Sequence, residues 1–295
     1  MSLLQMAGVQ KKFFRKKVLE GVDLALEPGE ILGLVGENGA GKTTTMNIIL
    51  GLEHPEAGEA LLFGEPCGKD IPERRLKIGF VSETVFTPSY FNVSRAIKFH
   101  SSFYPDWDDN YCSELMDRFS LDPEAGLYNM SRGELARLDL LLALSHRPPL
   151  LLLDEITAGL DALVRHELIL HLRELVTDDD ISIFFATNML HDLEKLATRI
   201  AFLYKGKVII DAPVDDILDL YVKLTFESKD GFGQFPDEVA VTRLSDHEGH
   251  HVVLKKEDYE GLKDRPEVAA LSPRVSRTDL ESAFVFLSRE KRESE

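Results

Sequence analysis

The stretch Gly36-Glu37-Asn38-Gly39-Ala40-Gly41-Lys42-Thr43-Thr44 fits the pattern G-x-x-x-x-G-K-[ST]. It follows the apolar run Ile31-Leu32-Gly33-Leu34-Val35 and precedes Met46-Asn47-Ile48-Ile49-Leu50. Strand, glycine loop and helix in that order call for an α/β phosphate-loop fold. Gly36, Gly39 and Gly41 let the backbone approach an anion with no Cβ in the way. The loop's N–H groups and the helix N-terminus then form a nest for the α- and β-phosphates. Lys42 reaches the β- and γ-phosphates, and Thr43 offers its hydroxyl to Mg²⁺.

Two further elements carry chemistry. Leu150 to Leu153 form an apolar strand that ends in Asp154-Glu155. Such a strand delivers Asp154 beside the loop, where it can orient Mg²⁺, and makes Glu155 a general base for an attacking water. Met130-Ser131-Arg132-Gly133-Glu134 opens the amphipathic helix 135–145. Ser131 and Glu134 have the spacing of a capping box, which is a complete structural explanation. The functional alternative is that Ser131 and the Gly133 N–H point a helix N-terminus at a γ-phosphate.

Around these elements the pattern alternates between strands and helices. Strands are expected over 3–9, 18–26, 58–63, 78–81 and 181–186, and a hairpin over 200–210. Helical periodicity takes over in residues 84–146, read as a helical subdomain inserted into the α/β core. After residue 218 alternation returns, with Val222, Leu224 and Phe226 on one face, and the chain ends in a charged helix near 278–292. Two domains are therefore expected, 1–218 and a small α+β extension at 219–295.

Composition narrows the partners. The formal net charge is −17, which disfavours sequence-independent nucleic-acid binding and direct adhesion to anionic lipid. Cys67 and Cys112 show neither metal-ligand spacing nor a secreted framework, which suits a reducing cytosol. No stretch approaches the roughly 18 uninterrupted apolar residues that span a bilayer. Any membrane span has to come from another chain.

The order and spacing of the three elements resemble the ATP-binding subunit of an ATP-binding-cassette (ABC) transporter. Gly36 to Thr43 is similar to its Walker A motif, Met130 to Glu134 to its signature motif, and Asp154-Glu155 to its Walker B motif. Ala158-Gly159-Leu160-Asp161 resembles the D-loop. The resemblance implies an ATP-hydrolysing, Mg²⁺-dependent homodimer or pairing with a paralogous subunit, each ATP lying between one loop and the other copy's Ser131 and Gly133. It implies a cytoplasmic location on the inner face of the membrane. It also implies an integral membrane permease docked on the helical subdomain, with residues 86–90 as a contact loop.

Phe13 stands where the family stacks an aromatic on adenine; hairpin packing is the alternative. Three positions depart from the family pattern. Glu83 replaces the usual Gln, keeping an oxygen ligand for Mg²⁺ while adding negative charge. Arg132 replaces a signature glycine. Asn188 replaces the switch histidine and can donate a hydrogen bond but cannot become cationic. A similar Asp106-Trp107-Asp108 occurs in bacterial exporter ATPases, and residues 278–284 resemble their tail. The expected role is thus to power export of drugs, bacteriocins or cell-envelope compounds. The alternative is a soluble or regulatory ABC ATPase acting as an ATP-dependent switch with slow hydrolysis.

Overall fold

The computed structural model describes residues 2–69, 71–82, 87–178, 181–226, 229–236, 241–246 and 249–293. The strand Ile31–Val35 is buried at every position, as its unbroken apolar sequence requires of a parallel strand covered on both faces. It lies within a six-stranded sheet. The order is Lys207–Pro213, Arg199–Tyr204, Ile31–Val35, Ser182–Thr187, Leu150–Asp154 and Ile78–Ser82. Ile31–Val35 runs parallel to both neighbours, and the last three strands are parallel to one another.

Register at the carboxyl ends of these strands builds the site. Val35 pairs with Thr187, Ala186 with Asp154, and Asp154 with Ser82. The phosphate loop leaves directly after Val35, so three strand ends converge on it. Ligands of open α/β sheets bind in that crevice.

A second, antiparallel sheet runs Lys16–Leu26, Leu4–Phe13, Ala57–Leu62 and Glu65–Pro66. Its inward residues, including Leu4, Met6, Val22 and Leu24, join Leu32, Leu34, Phe184 and Leu152 in one core. Between Ile78–Ser82 and Leu150–Asp154 the chain forms the helices Val93–Ser101, Asp109–Arg118 and Arg132–Leu144. Asn92 caps the first by accepting from the Arg95 N–H at 2.9 Å, and Asp108 caps the second by accepting from Tyr111 at 2.9 Å.

The chain divides into two compact units, Met1–Asp211 and Ala212–Glu295. The second contains an antiparallel sheet in the order Val241–Asp246, Gly249–Lys255, Tyr221–Phe226 and Arg274–Arg277. Val222, Leu224, Phe226, Val252 and Leu254 form its core with Phe235, Leu262 and Val268. The helix Leu280–Glu293 buries Leu280, Ala283, Phe286 and Leu287. The helix Val214–Asp219 belongs to this unit, held by Arg277 to Asp215 at 2.8 Å and to Asp219 at 3.0 Å. The division therefore falls ahead of the 218/219 boundary read from the sequence.

Phe184 is fully buried in the strand beside the phosphate-loop strand. Phe184→Ala should lower unfolding stability by about 3–5 kcal/mol through lost burial and a residual cavity. The check is a fall in urea midpoint at unchanged slope.

Candidate active site

The loop geometry follows from its glycines. A Cβ on Gly36 would lie 2.4 Å from the Leu203 carbonyl oxygen, so a larger residue would push the neighbouring strand away. Gly41 takes φ +118°, a conformation that L side chains rarely adopt, and so turns the chain into the helix Lys42–Ile49. Ala40 donates its N–H to the Glu37 carbonyl at 3.0 Å, closing the turn.

Lys42 is buried, and its ammonium donates to the Gly36 carbonyl at 2.9 Å. It also stands 3.3 Å from Glu155 Oε1. Asn38, Gly39, Gly41, Lys42, Thr43, Thr44, Glu155 and Asn188 line one cavity of about 500 Å³. The loop, the end of the leucine strand and the end of Ser182–Thr187 thus meet around a single space.

Glu155 follows immediately after the strand Leu150–Asp154, whose leucines are all buried. Its backbone is left-handed, with φ 54°, a conformation that costs a non-glycine residue on the order of 1 kcal/mol. The Glu155 N–H donates to the Ala186 carbonyl at 2.9 Å. Its Oε2 accepts from the Thr187 hydroxyl and from the Asn188 N–H, both at 3.2 Å. The Asn188 side-chain amide donates in turn to Asn38 Oδ1 at 3.4 Å. His191, on the helix Leu190–Leu196, is exposed.

Ser131 and Gly133 are not among the residues lining that cavity. Ser131 forms a full capping box at the start of Arg132–Leu144, its N–H donating to Glu134 Oε2 at 2.8 Å. The Ser131 hydroxyl and N–H hold the Glu134 carboxyl below its ordinary range. Ser131 remains exposed on the surface. A Cβ on Gly133 would lie 2.9 Å from Val164 Cγ1, so glycine there lets two helices approach.

Phe13 sits at the hairpin end, 39% exposed, with the Lys11 ammonium 5.1 Å from its ring centre. It does not line the cavity; Lys16 and Val18 do, and no motif marks either of them. Glu83 lies outside the described residues. Thr43 and Asp154 present a hydroxyl and a carboxylate, the hard oxygen donors that suit Mg²⁺. Thr43 is exposed at the start of its helix and Asp154 is partly buried at its strand end.

Comparison with known proteins agrees with this geometry. Residues 19–158 match the ABC transporter family. Over 225 residues the chain is 31% identical to the ABC transporter ATP-binding protein YtrB of Bacillus subtilis (strain 168), covering 75% of this chain and 76% of that one. It is 29% identical to a Nod factor export ATP-binding protein I of Cupriavidus metallidurans, over 74% of this chain and 73% of that one. A solved structure of the ATP-binding subunit of an ABC transporter superimposes with a TM-score of 0.66 at 25% identity, covering 73% of this chain and 92% of that one. The chain belongs to the ATP-binding subunits of ABC transporters. It is an ATPase of that family, and no described helix is long and apolar enough to cross a membrane.

Sharing Glu155 with the phosphate-loop cavity, a smaller space of about 250 Å³ is lined by Asp139 of the helix Arg132–Leu144, Ile156 and Leu160. Burial pushes the Asp139 carboxyl up to about 7. Native Asp139 therefore holds its proton more tightly than the unfolded chain does. The stability this adds is present below about pH 4 and lost as pH rises through about 7. Asp139→Asn should raise the urea midpoint at pH 8 and leave it nearly unchanged at pH 4. Equal shifts at the two pH values would contradict the assignment.

Proposed function

We propose that the chain hydrolyses ATP as one half of a dimer and drives a separate membrane permease, in the direction of export. The carrying observation is the convergence of Lys42, Thr43, Glu155 and Asn188 on one cavity. Ser131, exposed, and Gly133 do not line that cavity. One chain then supplies the loop and a second copy supplies the helix N-terminus that closes over the γ-phosphate. Because both halves are complete in this sequence, a homodimer is sufficient. The name of the Nod factor export relative supports export over import, as does the Asp106-Trp107-Asp108 resemblance.

In the nucleotide-bound state Lys42 turns from Glu155 to the β- and γ-phosphates. Glu155 Oε1, relieved of its ion pair, accepts a proton from the water whose oxygen attacks the γ-phosphorus as the bond to the β-phosphate oxygen breaks. Thr43 and Asp154, with Glu83, would hold Mg²⁺, which supplies neutralisation of the phosphate charge. Asn188 donates a neutral hydrogen bond where a histidine would carry charge, so turnover is slow. Phe13, partly exposed at the hairpin end, would stack on the base.

The permease would dock on the helical segment. A cavity of about 460 Å³ lined by Leu52, Phe80, Thr87, Tyr104 and Leu142 opens there. Tyr90 and Phe103 stand 75% and 60% exposed on the same segment. Phe86 lies outside the described residues. On this reading the protein works at the inner, cytoplasmic face of the membrane. A regulatory ATP-dependent switch is the second reading, motivated by Glu83 and Asn188.

Steady-state ATPase separates these outcomes. Glu155→Gln should reduce turnover by at least about 100-fold, and Asn188→His should increase it. Equal rates for the wild type and both variants would count against Glu155 as base. Tyr90→Ala with Phe103→Ala should abolish co-purification with the permease while leaving ATPase of the isolated chain intact. Unaltered co-purification would move the docking surface elsewhere.

A further inference from the structure

Thr187 ends the strand Ser182–Thr187 and is completely buried, yet no motif marks it. Its hydroxyl has one proton, and the geometry decides where that proton points. The Met189 N–H donates to Thr187 Oγ1 at 3.0 Å, so the oxygen serves there as acceptor. The hydroxyl proton is left for Glu155 Oε2, 3.2 Å away. The Asn188 N–H reaches the same Oε2 at 3.2 Å.

Two donors from one strand end therefore fix one carboxylate oxygen of Glu155. The other, Oε1, is the one turned toward Lys42. A free glutamate has two soft torsions beyond Cβ and would spread Oε1 over several positions. Register makes the arrangement reproducible, because Thr187 pairs with Val35 and Ala186 with Asp154.

We infer that Thr187 is a positioning residue for ATP hydrolysis: its hydroxyl sets the side-chain conformation of Glu155 so that Oε1 faces the attacking water. The role rests on the reading that Glu155 accepts the water's proton. It matters more in this chain than a hydroxyl at a strand end ordinarily would, because Asn188 has no charge with which to hold the reacting groups. Thr187 acts through Glu155: it is fully buried and is not among the residues lining the cavity.

The test compares Thr187→Val, Thr187→Ser and Glu155→Gln by steady-state ATPase, with thermal midpoints as a control on folding. Valine keeps the shape and removes the hydrogen bond; a lost charge-assisted bond corresponds to about a tenfold effect. Thr187→Val should lower kcat about tenfold with the KM for ATP changed less than about twofold. Thr187→Ser should restore at least half of the wild-type kcat. Adding Thr187→Val to Glu155→Gln should cost nothing further.

A wild-type kcat in Thr187→Val, with Glu155→Gln inactive, overturns the positioning role and leaves Glu155 as base. A parallel rise in KM and loss of kcat that serine does not rescue also overturns it, as the mark of a merely structural residue. Wild-type turnover in Glu155→Gln overturns both.

Discussion

Parallel pairing of Ile31–Val35, Ser182–Thr187 and Leu150–Asp154 is the constraint on which the chemistry depends. These strands are covered on both faces, and a slip of one residue would turn every side chain to the opposite face. Glu155 would then leave Lys42, and Thr187 would leave Glu155. The burial of Leu150 to Leu153 and of Phe184 and Phe185 holds the register, at about 1.5–3 kcal/mol for each large side chain removed from water. The core is thus not a neutral scaffold. Its packing sets where a carboxylate and an ammonium meet.

At that meeting point the protein keeps a compact network. The Lys42–Glu155 pair sits in a poorly solvated pocket, with Lys42 6% exposed, where removing one partner would leave the other charge uncompensated. Arriving phosphates offer Lys42 a better anionic partner than one carboxylate. Ground-state pairing of the two side chains therefore keeps both oriented until nucleotide enters. In the proposed mechanism Thr187 and the Asn188 N–H hold Glu155 through that exchange of partners.

Much of the fold is legible in the sequence, because its central strands are unbroken apolar runs flanked by glycine or proline turns. The loop, Asp154-Glu155 and the capping box at Ser131 are equally visible, since each depends on residue types at fixed local spacing. Other features depend on contacts between distant segments. Thr187 meets Glu155 only through strand register. Lys16 and Val18 reach the cavity only because a hairpin folds over it, whereas Phe13 of the same hairpin does not line it. Asp139 hides within a leucine-rich helix whose apolar positions draw the eye. Arg274–Arg277 is exposed at every position, so no alternation of polarity announces a strand there.

ATP-dependent dimerisation tests most directly whether the phosphate loop is half of a shared site. Sedimentation of the Glu155→Gln protein with Mg-ATP should show a shift from one copy to two, abolished by Ser131→Arg. Wild-type turnover per chain should then rise with protein concentration. A chain that stays monomeric with Mg-ATP, and hydrolyses it at a rate per chain independent of concentration, would contradict the shared site.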